Sequence, residues 1–307
     1  MRKMKLAHIQ FAAPAREIDR NRKTAERLIR QSAEQGAQLV CLPELFTTAH
    51  DFDFIRAQGE VQEKAPGATQ GDAQDAQGVP PRDKTQRATQ DDLQGGAQGK
   101  DKSSEEKSSD VLSSHSEIID WLGELALSLK IYLAAGTLPE KEGGRFYNTA
   151  FFFNDQGKML GKYRKMHLFP PMGEDTFFTP GQDCPVFDTP LARVGICICY
   201  DLRFPSQFAD LAARGAEIIL LPARFPHPRM DHWQILLRAR AIENYLFVAG
   251  CNCIGTFNQQ LFCGHSCIIS PWGETLAEAG EREGVVMAEI DLDMVEESRA
   301  FFQRRSG

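Results

Sequence analysis

The chain of 307 residues has no run approaching the roughly 20 consecutive apolar residues that a spanning helix needs. Its start, MRKMKLAHIQFAAPAREIDR, turns polar within a few positions, which points to a cytoplasmic protein with no membrane partner. An excess of basic charge is missing too. Forty-two acids against 35 bases give a formal charge of −7, whereas a protein that lives on phosphate backbones carries a basic face, so nucleic acid is not an expected partner. The eight cysteines (Cys41, Cys184, Cys197, Cys199, Cys251, Cys253, Cys263 and Cys267) lack the short Cys-x-x-Cys knuckles of structural zinc sites. Most sit inside apolar stretches, which suits reduced thiols better than a disulfide framework.

One segment lacks almost everything a core needs. From 57 to 110 there is no aromatic, Ile, Met or Cys, and Val61, Val79 and Leu93 are its large aliphatics. Such a stretch cannot bury enough to offset its ordering entropy, so a disordered surface insertion is expected there. Within it, Ala68-Thr69-Gln70 through Gly78 returns imperfectly as Ala88-Thr89-Gln90 through Gly99, a low-complexity echo and not a solenoid unit.

Setting that stretch aside leaves 253 of the 307 residues, a size that one large α/β domain routinely occupies, so residues 1–307 are read as a single domain interrupted once. Strands are expected at Leu6–Phe11, Gln38–Pro43, Ile131–Thr137, Asn148–Asn154, Arg193–Tyr200, Glu217–Pro222, Leu246–Cys251, Cys263–Ser270 and Val285–Asp291. Between them lie helical patterns at Ile18–Gln35, Ser116–Leu129, Pro205–Arg214 and His232–Tyr245. Gly36 and Gly215 fall just after helices, where a left-handed residue is needed.

The apolar run Arg193–Ile198 leads into Cys199-Tyr200-Asp201-Leu202-Arg203-Phe204, and Pro205 then opens a helix at a tolerated position. A side chain presented there faces the crevice in which open α/β folds place ligands, close to free helical N–H groups. Cys199 is that side chain, and Cys197, two residues deeper, reads as buried. Both also fit as small core residues. A thiol that attacks needs a cation or a base beside it. The basic run Lys162-Tyr163-Arg164-Lys165-Met166-His167-Leu168-Phe169 offers the former, and Glu44, an acid among apolar neighbours in Leu42-Pro43-Glu44-Leu45-Phe46, offers the latter. Glu44 wants a cation, and Lys165 is the candidate. Glu174 is a second acid amid apolar residues. A different class of reading is a non-enzymatic metal module built from Cys197, Cys199, Cys251, Cys253, Cys263 and Cys267.

Taken in order and spacing, Pro43-Glu44, the Tyr163–Phe169 run and Ile198–Pro205 resemble the motifs of the nitrilase superfamily, the carbon–nitrogen hydrolases. The likeness continues through Trp233, Leu237–Asn244, Gly264-His265-Ser266, Pro271–Glu274 and Ile290-Asp291-Leu292. The resemblance implies a four-layer αββα sandwich that assembles as a homodimer or larger homo-oligomer. It implies a Glu44–Lys165–Cys199 triad, with Glu174, seven residues before Gly181, as a further acid. It also implies hydrolysis of a linear amide C–N bond through a Cys thioester, without metal or cofactor, the oxyanion being held by Lys165 and the backbone N–H of Tyr200. Ser206 departs from the family pattern, where many members carry Glu. The stretch Pro222–Pro226 with His232-Trp233 looks like the ω-amidase branch, whose substrates are small carboxylate-bearing amides. By that resemblance Arg203 holds a substrate carboxylate, or else pairs with Asp201, and Phe225 forms a pocket wall. N-carbamoyl or deaminated-peptide amides are the alternative substrates.

Overall fold

The structure, a computed structural model, describes residues 2–64 and 115–303. In chain order its elements are β1 (Lys3–Gln10), α1 (Ile18–Glu34), β2 (Leu39–Cys41), α2 (Phe52–Lys64), α3 (His115–Leu129), β3 (Tyr132–Ala134), β4 (Leu138–Glu142), β5 (Arg145–Phe153) and β6 (Met159–Arg164). There follow α4 (Glu174–Phe177), β7 (Val186–Asp188), β8 (Arg193–Ile196), α5 (Pro205–Ala213), β9 (Ile218–Ala223), α6 (Met230–Asn244) and β10 (Phe247–Asn252). The last are β11 (Ile254–Phe257), β12 (Gln260–Cys263), β13 (Cys267–Ile269), β14 (Thr275–Glu278), β15 (Gly284–Asp291) and α7 (Asp293–Gln303).

Alternation along the strands decides the layers. Leu39, Cys41, Tyr132, Ala134, Ala150 and Phe152 share one core with the second half of the chain. Their neighbours Val40, Leu133, Phe151 and Phe153 pack instead with Leu28 and Ile29 of α1 and Leu122 and Leu125 of α3. The first sheet, ordered β15-β1-β2-β3-β5-β4 with β6 on β5, is therefore buried on both faces. The second, β14-β13-β10-β9-β8-β7, is covered by α5 and α6, which supply Phe208, Leu211, Trp233 and Leu237. Helix, sheet, sheet and helix make the expected αββα sandwich. Central strands of both sheets pair in parallel, β1-β2-β3 and β8-β9-β10, so their C-terminal ends point to shared edges where loops collect.

One inward residue is unusual. His8 of β1 is fully buried, and neither ring nitrogen has a hydrogen-bond partner. Burial pushes its pKa down to about 3, so the ring is neutral, and each orphaned polar group there costs about 1–3 kcal/mol.

The structure corrects several boundaries. Arg193–Tyr200 is strand only to Ile196, because the backbone must turn to present Cys199. Cys263–Ser270 is broken at Gly264 and His265, both at positive φ, into β12 and β13. The run around Lys162, absent from the expected strands, is strand β6 up to Arg164, and Phe301 and Phe302 lie on α7. Helix α2 takes in residues 57–64 of the low-complexity stretch, and the remainder, residues 65–110, lies outside the described residues. Gly36 and Gly215 do adopt the left-handed conformation expected after helices, with φ of 88° and 87°.

Candidate active site

Each candidate side chain is delivered by a loop at the strand ends. Glu44 follows β2, where Leu45 turns through a positive φ of 44° and its N–H is held by Thr137 Oγ1 at 2.8 Å. The loop after β3 lies so close that a Cβ on Gly136 would meet the Pro43 carbonyl at 2.1 Å. Lys165 follows β6, its backbone N–H donating to the Asn148 carbonyl at 2.9 Å and its carbonyl accepting from Gly181 N–H at 2.9 Å. Glu174 opens α4.

The three charged groups meet in a dry interior. Lys165 Nζ donates to Glu44 Oε1 and to Glu174 Oε1, both at 2.8 Å, with side-chain exposures of 1%, 0% and 0%. Glu44 also accepts from Asn148 Nδ2 at 2.8 Å and from the Arg224 backbone N–H at 3.0 Å. Glu174 accepts from the Phe169 backbone N–H at 2.7 Å and faces His50 Nε2 at 3.0 Å. Burial disfavours the ammonium of Lys165, but the two carboxylates outweigh it and hold its pKa above the ordinary lysine value. Burial likewise opposes ionisation of Glu174, and Lys165 with His50 overcomes it, bringing the carboxyl down to about 2.

Cys199 opens a short 3-10 turn, Cys199–Arg203, with a left-handed φ of 45°. It keeps 8% exposure, whereas Cys197 has none and lies against Cys184. The first hydrogen bond of the turn runs from Asp201 N–H to the Ile198 carbonyl, and the N–H groups of Cys199 and Tyr200 precede it. Burial drives the Cys199 thiol well above its usual pKa. Glu44 and Glu174 add to the rise, against Lys165 and the Arg224 backbone. Burial comes first, and the two carboxylates outweigh the one ammonium, so the surroundings favour the protonated thiol.

Asp201 ties this turn to the lysine loop. Its carboxylate accepts from Tyr163 Oη at 2.6 Å, Ile198 N–H at 2.8 Å and His167 N–H at 3.1 Å, and meets His167 Nδ1 at 2.8 Å. The pairing of Asp201 with Arg203 is therefore not formed. Arg203 Nη2 instead meets His232 Nδ1 at 3.0 Å, and its guanidinium stands 5.8 Å from the Phe225 ring. Phe225 is buried against Trp233. On the same side Arg229 stands 5.5 Å from Phe169, whose ring lies 4.9 Å from that of Tyr200. Aromatic walls with two half-exposed guanidinium groups thus flank the Cys199 turn. His50, Asn148, Asp201 and Arg229 were not singled out for the site in the sequence. Only Asp201 carries a local signal, its place in the Cys-Tyr-Asp-Leu-Arg run.

The cysteines of the alternative metal module do not converge. Among the described residues, the His, Cys, Asp and Glu groups with ligating atoms within 4.8 Å of one another are Glu44–His50–Glu174 and His8–Cys41–Cys251. The first already surrounds the Lys165 ammonium.

The family model for carbon-nitrogen hydrolases matches residues 5–300. The chain belongs to that family. It is 32% identical to an omega-amidase, NIT2 of Homo sapiens, over 100% of this chain and 96% of that protein. To the 2-oxoglutaramate amidase of Bacillus subtilis (strain 168) it is 41% identical over 58% of this chain and 69% of the relative. Among solved structures, Nit3 of Saccharomyces cerevisiae, a member of branch 10 of the nitrilase superfamily, superimposes with a TM-score of 0.75 at 28% identity, covering 99% and 97% of the two chains. The sandwich, the family and its carbon–nitrogen hydrolase chemistry are those that the motifs implied.

Proposed function

We propose that the chain is an ω-amidase-like enzyme that releases ammonia from the terminal amide of a small carboxylate-bearing acid, with Glu44, Lys165 and Cys199 as its reacting groups. The observation that carries this reading is the buried Lys165 ammonium clamped between Glu44 and Glu174, close enough to Cys199 for all three charges to act on its thiol. A protonated sulfur in a dry pocket attacks only if its proton leaves in the same step, and Glu44 is the carboxylate that also raises its pKa.

Glu44 takes the thiol proton as Cys199 Sγ bonds to the amide carbon. The carbonyl oxygen becomes an oxyanion stabilised by Lys165 Nζ and the Tyr200 N–H. One such preorganised donor is worth about 2.7–4 kcal/mol of barrier. Glu44 then hands its proton to the departing nitrogen, ammonia leaves, and a thioester remains. Water, deprotonated by Glu44, attacks that thioester; the acid departs and Cys199 regains its proton. Glu174, held by His50 and Phe169 N–H, keeps Lys165 charged and aimed throughout. Arg203 and Arg229, above the aromatic wall, supply the charge that a substrate carboxylate needs.

Assembly as a homodimer is supported by the outer face of α6, where Ile235 and Ile242 are 64% and 45% exposed beside Trp272, Phe301 and Phe302. Sedimentation of the full chain tests it, and loss of the dimer in Ile235→Asp is the expected result. No described helix is long and apolar enough to cross a membrane, and the eight free, buried cysteines suit the reducing cytoplasm.

Ammonia release from 2-oxoglutaramate, succinamate and an N-carbamoyl amino acid tests the substrate class. Preference for the first two is expected, and turnover confined to the carbamoyl compound would overturn it.

A further inference from the structure

Three donor atoms unconnected with the reaction meet between the two sheets. His8 and Cys41 are register partners in the parallel pair β1-β2, so their side chains leave the same face side by side. Cys251 reaches them from β10 of the opposite sheet. Their ligating atoms all lie within 4.8 Å of one another, and all three residues are fully buried. We infer that His8, Cys41 and Cys251 form an interior site for a thiophilic d10 cation, copper(I) or zinc(II), that clamps the two sheets together.

The orphaned imidazole is the first support. A ring with no hydrogen-bond partner at either nitrogen has a lone pair free to coordinate, and a metal satisfies it where no protein group does. The sulfurs are only weakly committed, to backbone carbonyls and to each other. Cys251 Sγ points at the Cys41 and Ile9 carbonyls at 3.3 and 3.5 Å, and Cys41 Sγ at the Leu42 carbonyl at 3.5 Å, contacts that a weak S–H donor loses cheaply.

Donor type selects the ion. Two sulfurs and one imidazole suit soft or borderline cations and not magnesium or calcium. Metal–sulfur bonds of about 2.3 Å and metal–nitrogen bonds of about 2.0 Å place such donors roughly 3.5–4 Å apart, so less than about 1 Å of side-chain adjustment closes the site. Binding releases the thiol protons of Cys41 and Cys251 to solvent while the imidazole binds neutral. Zinc(II) then gives an uncharged complex, and copper(I) gives one that is content with three donors. Each ion satisfies one of the two demands of a dry, three-ligand site, and loading accompanies folding because the place is closed to solvent.

The test uses the full chain carrying Cys199→Ala, which removes the partly exposed sulfur as a competing ligand. The chain is refolded without oxygen in the presence of zinc(II) or of copper(I), desalted, and its metal content measured. One equivalent of either ion is expected, falling at least tenfold in His8→Leu and in Cys251→Ala but not in Cys263→Ala. Absence of both ions from refolded chain, or equal retention by His8→Leu, would overturn the proposal. If the variants fail to fold, X-ray absorption on the loaded chain decides: a shell of two sulfurs and one nitrogen supports the site, and any other shell rejects it.

Discussion

Strand β6 and the loop after it carry Lys162, Arg164 and Lys165 within four positions, yet these cations serve two opposite networks. Lys162 and Arg164 face outward onto Glu140, with Arg164 Nε at 2.9 Å from its carboxylate and Thr149 Oγ1 at 2.8 Å. Arg164 also reaches Glu142 at 2.7 Å, and its side chain keeps 20% exposure. Lys165 turns inward, 1% exposed, between two acids. Outside, each acid shares two cations in reach of water, and burial, which alone would raise the Glu140 carboxyl, is overcome by Arg164 and Lys162 to leave it at about 2. That network is a neutralised tie. Inside, two acids share one cation away from bulk solvent, and burial first, then the two carboxylates, favours the protonated form of the Cys199 thiol. Identical residue types make a neutralised surface clasp or a charge-unbalanced interior cluster according to charge count and solvent.

The sharpest way to break the contrast is at the sulfur. Cys199→Ala should abolish ammonia release, whereas Glu140→Gln should leave it nearly intact; retained turnover in Cys199→Ala would end the mechanism. Next comes Lys165→Ala, for which activity is expected to fall by about 10²–10³-fold or more. That variant also strands two buried carboxylates at a cost of about 3–5 kcal/mol, while Lys162→Ala, on the exposed side, should cost within about 1 kcal/mol in denaturant unfolding.

Acid titration compares the two networks directly. Glu140 and Glu174 both have folded pKa values lowered from 4.5 to about 2. Each therefore contributes stability that is complete above the unfolded value and drains away as pH falls through the folded one. Unfolding midpoints should fall between about pH 4.5 and 2. Glu140→Gln and Glu174→Gln should each flatten that slope, and an unchanged slope in Glu174→Gln would contradict the Lys165 clamp. Smaller still, Asp201→Asn should lower kcat by about tenfold with KM little changed, since it positions the Cys199 turn and touches no substrate. Last, Arg203→Ala and Arg229→Ala should raise KM about tenfold for carboxylate-bearing amides and leave a neutral amide unaffected, roughly the loss of one charged hydrogen bond.

Much of this was legible before any coordinates, for identifiable reasons. Unbroken apolar runs within Gln38–Pro43 and Asn148–Asn154 announce strands because burial on two faces leaves no room for polar positions. The acid in Leu42–Phe46 is conspicuous because a carboxylate among apolar neighbours must have a partner. Elements with weaker signals went unread: β4 carries Lys141, which lies over the Phe146 ring, and β6 carries Lys162 and Arg164, whose charges pair outside with Glu140. Helix α7 was hidden because its amphipathic stripe is short. Asn148, His50 and Arg229 stood out for no local reason, since each matters through what it touches across the fold.

Motif order and spacing carried the resemblance to the family, which in turn implied the sandwich and the acid, lysine and cysteine to watch; composition and period marked out strands and helices, because burial and chain reversal leave marks in neighbouring residues. They could not determine the charge state of the sulfur, the partner of Asp201, or the meeting of His8 with Cys41 and Cys251. Those depend on distances between atoms far apart in the chain and on the exclusion of water around them, and only the packed sheets set either.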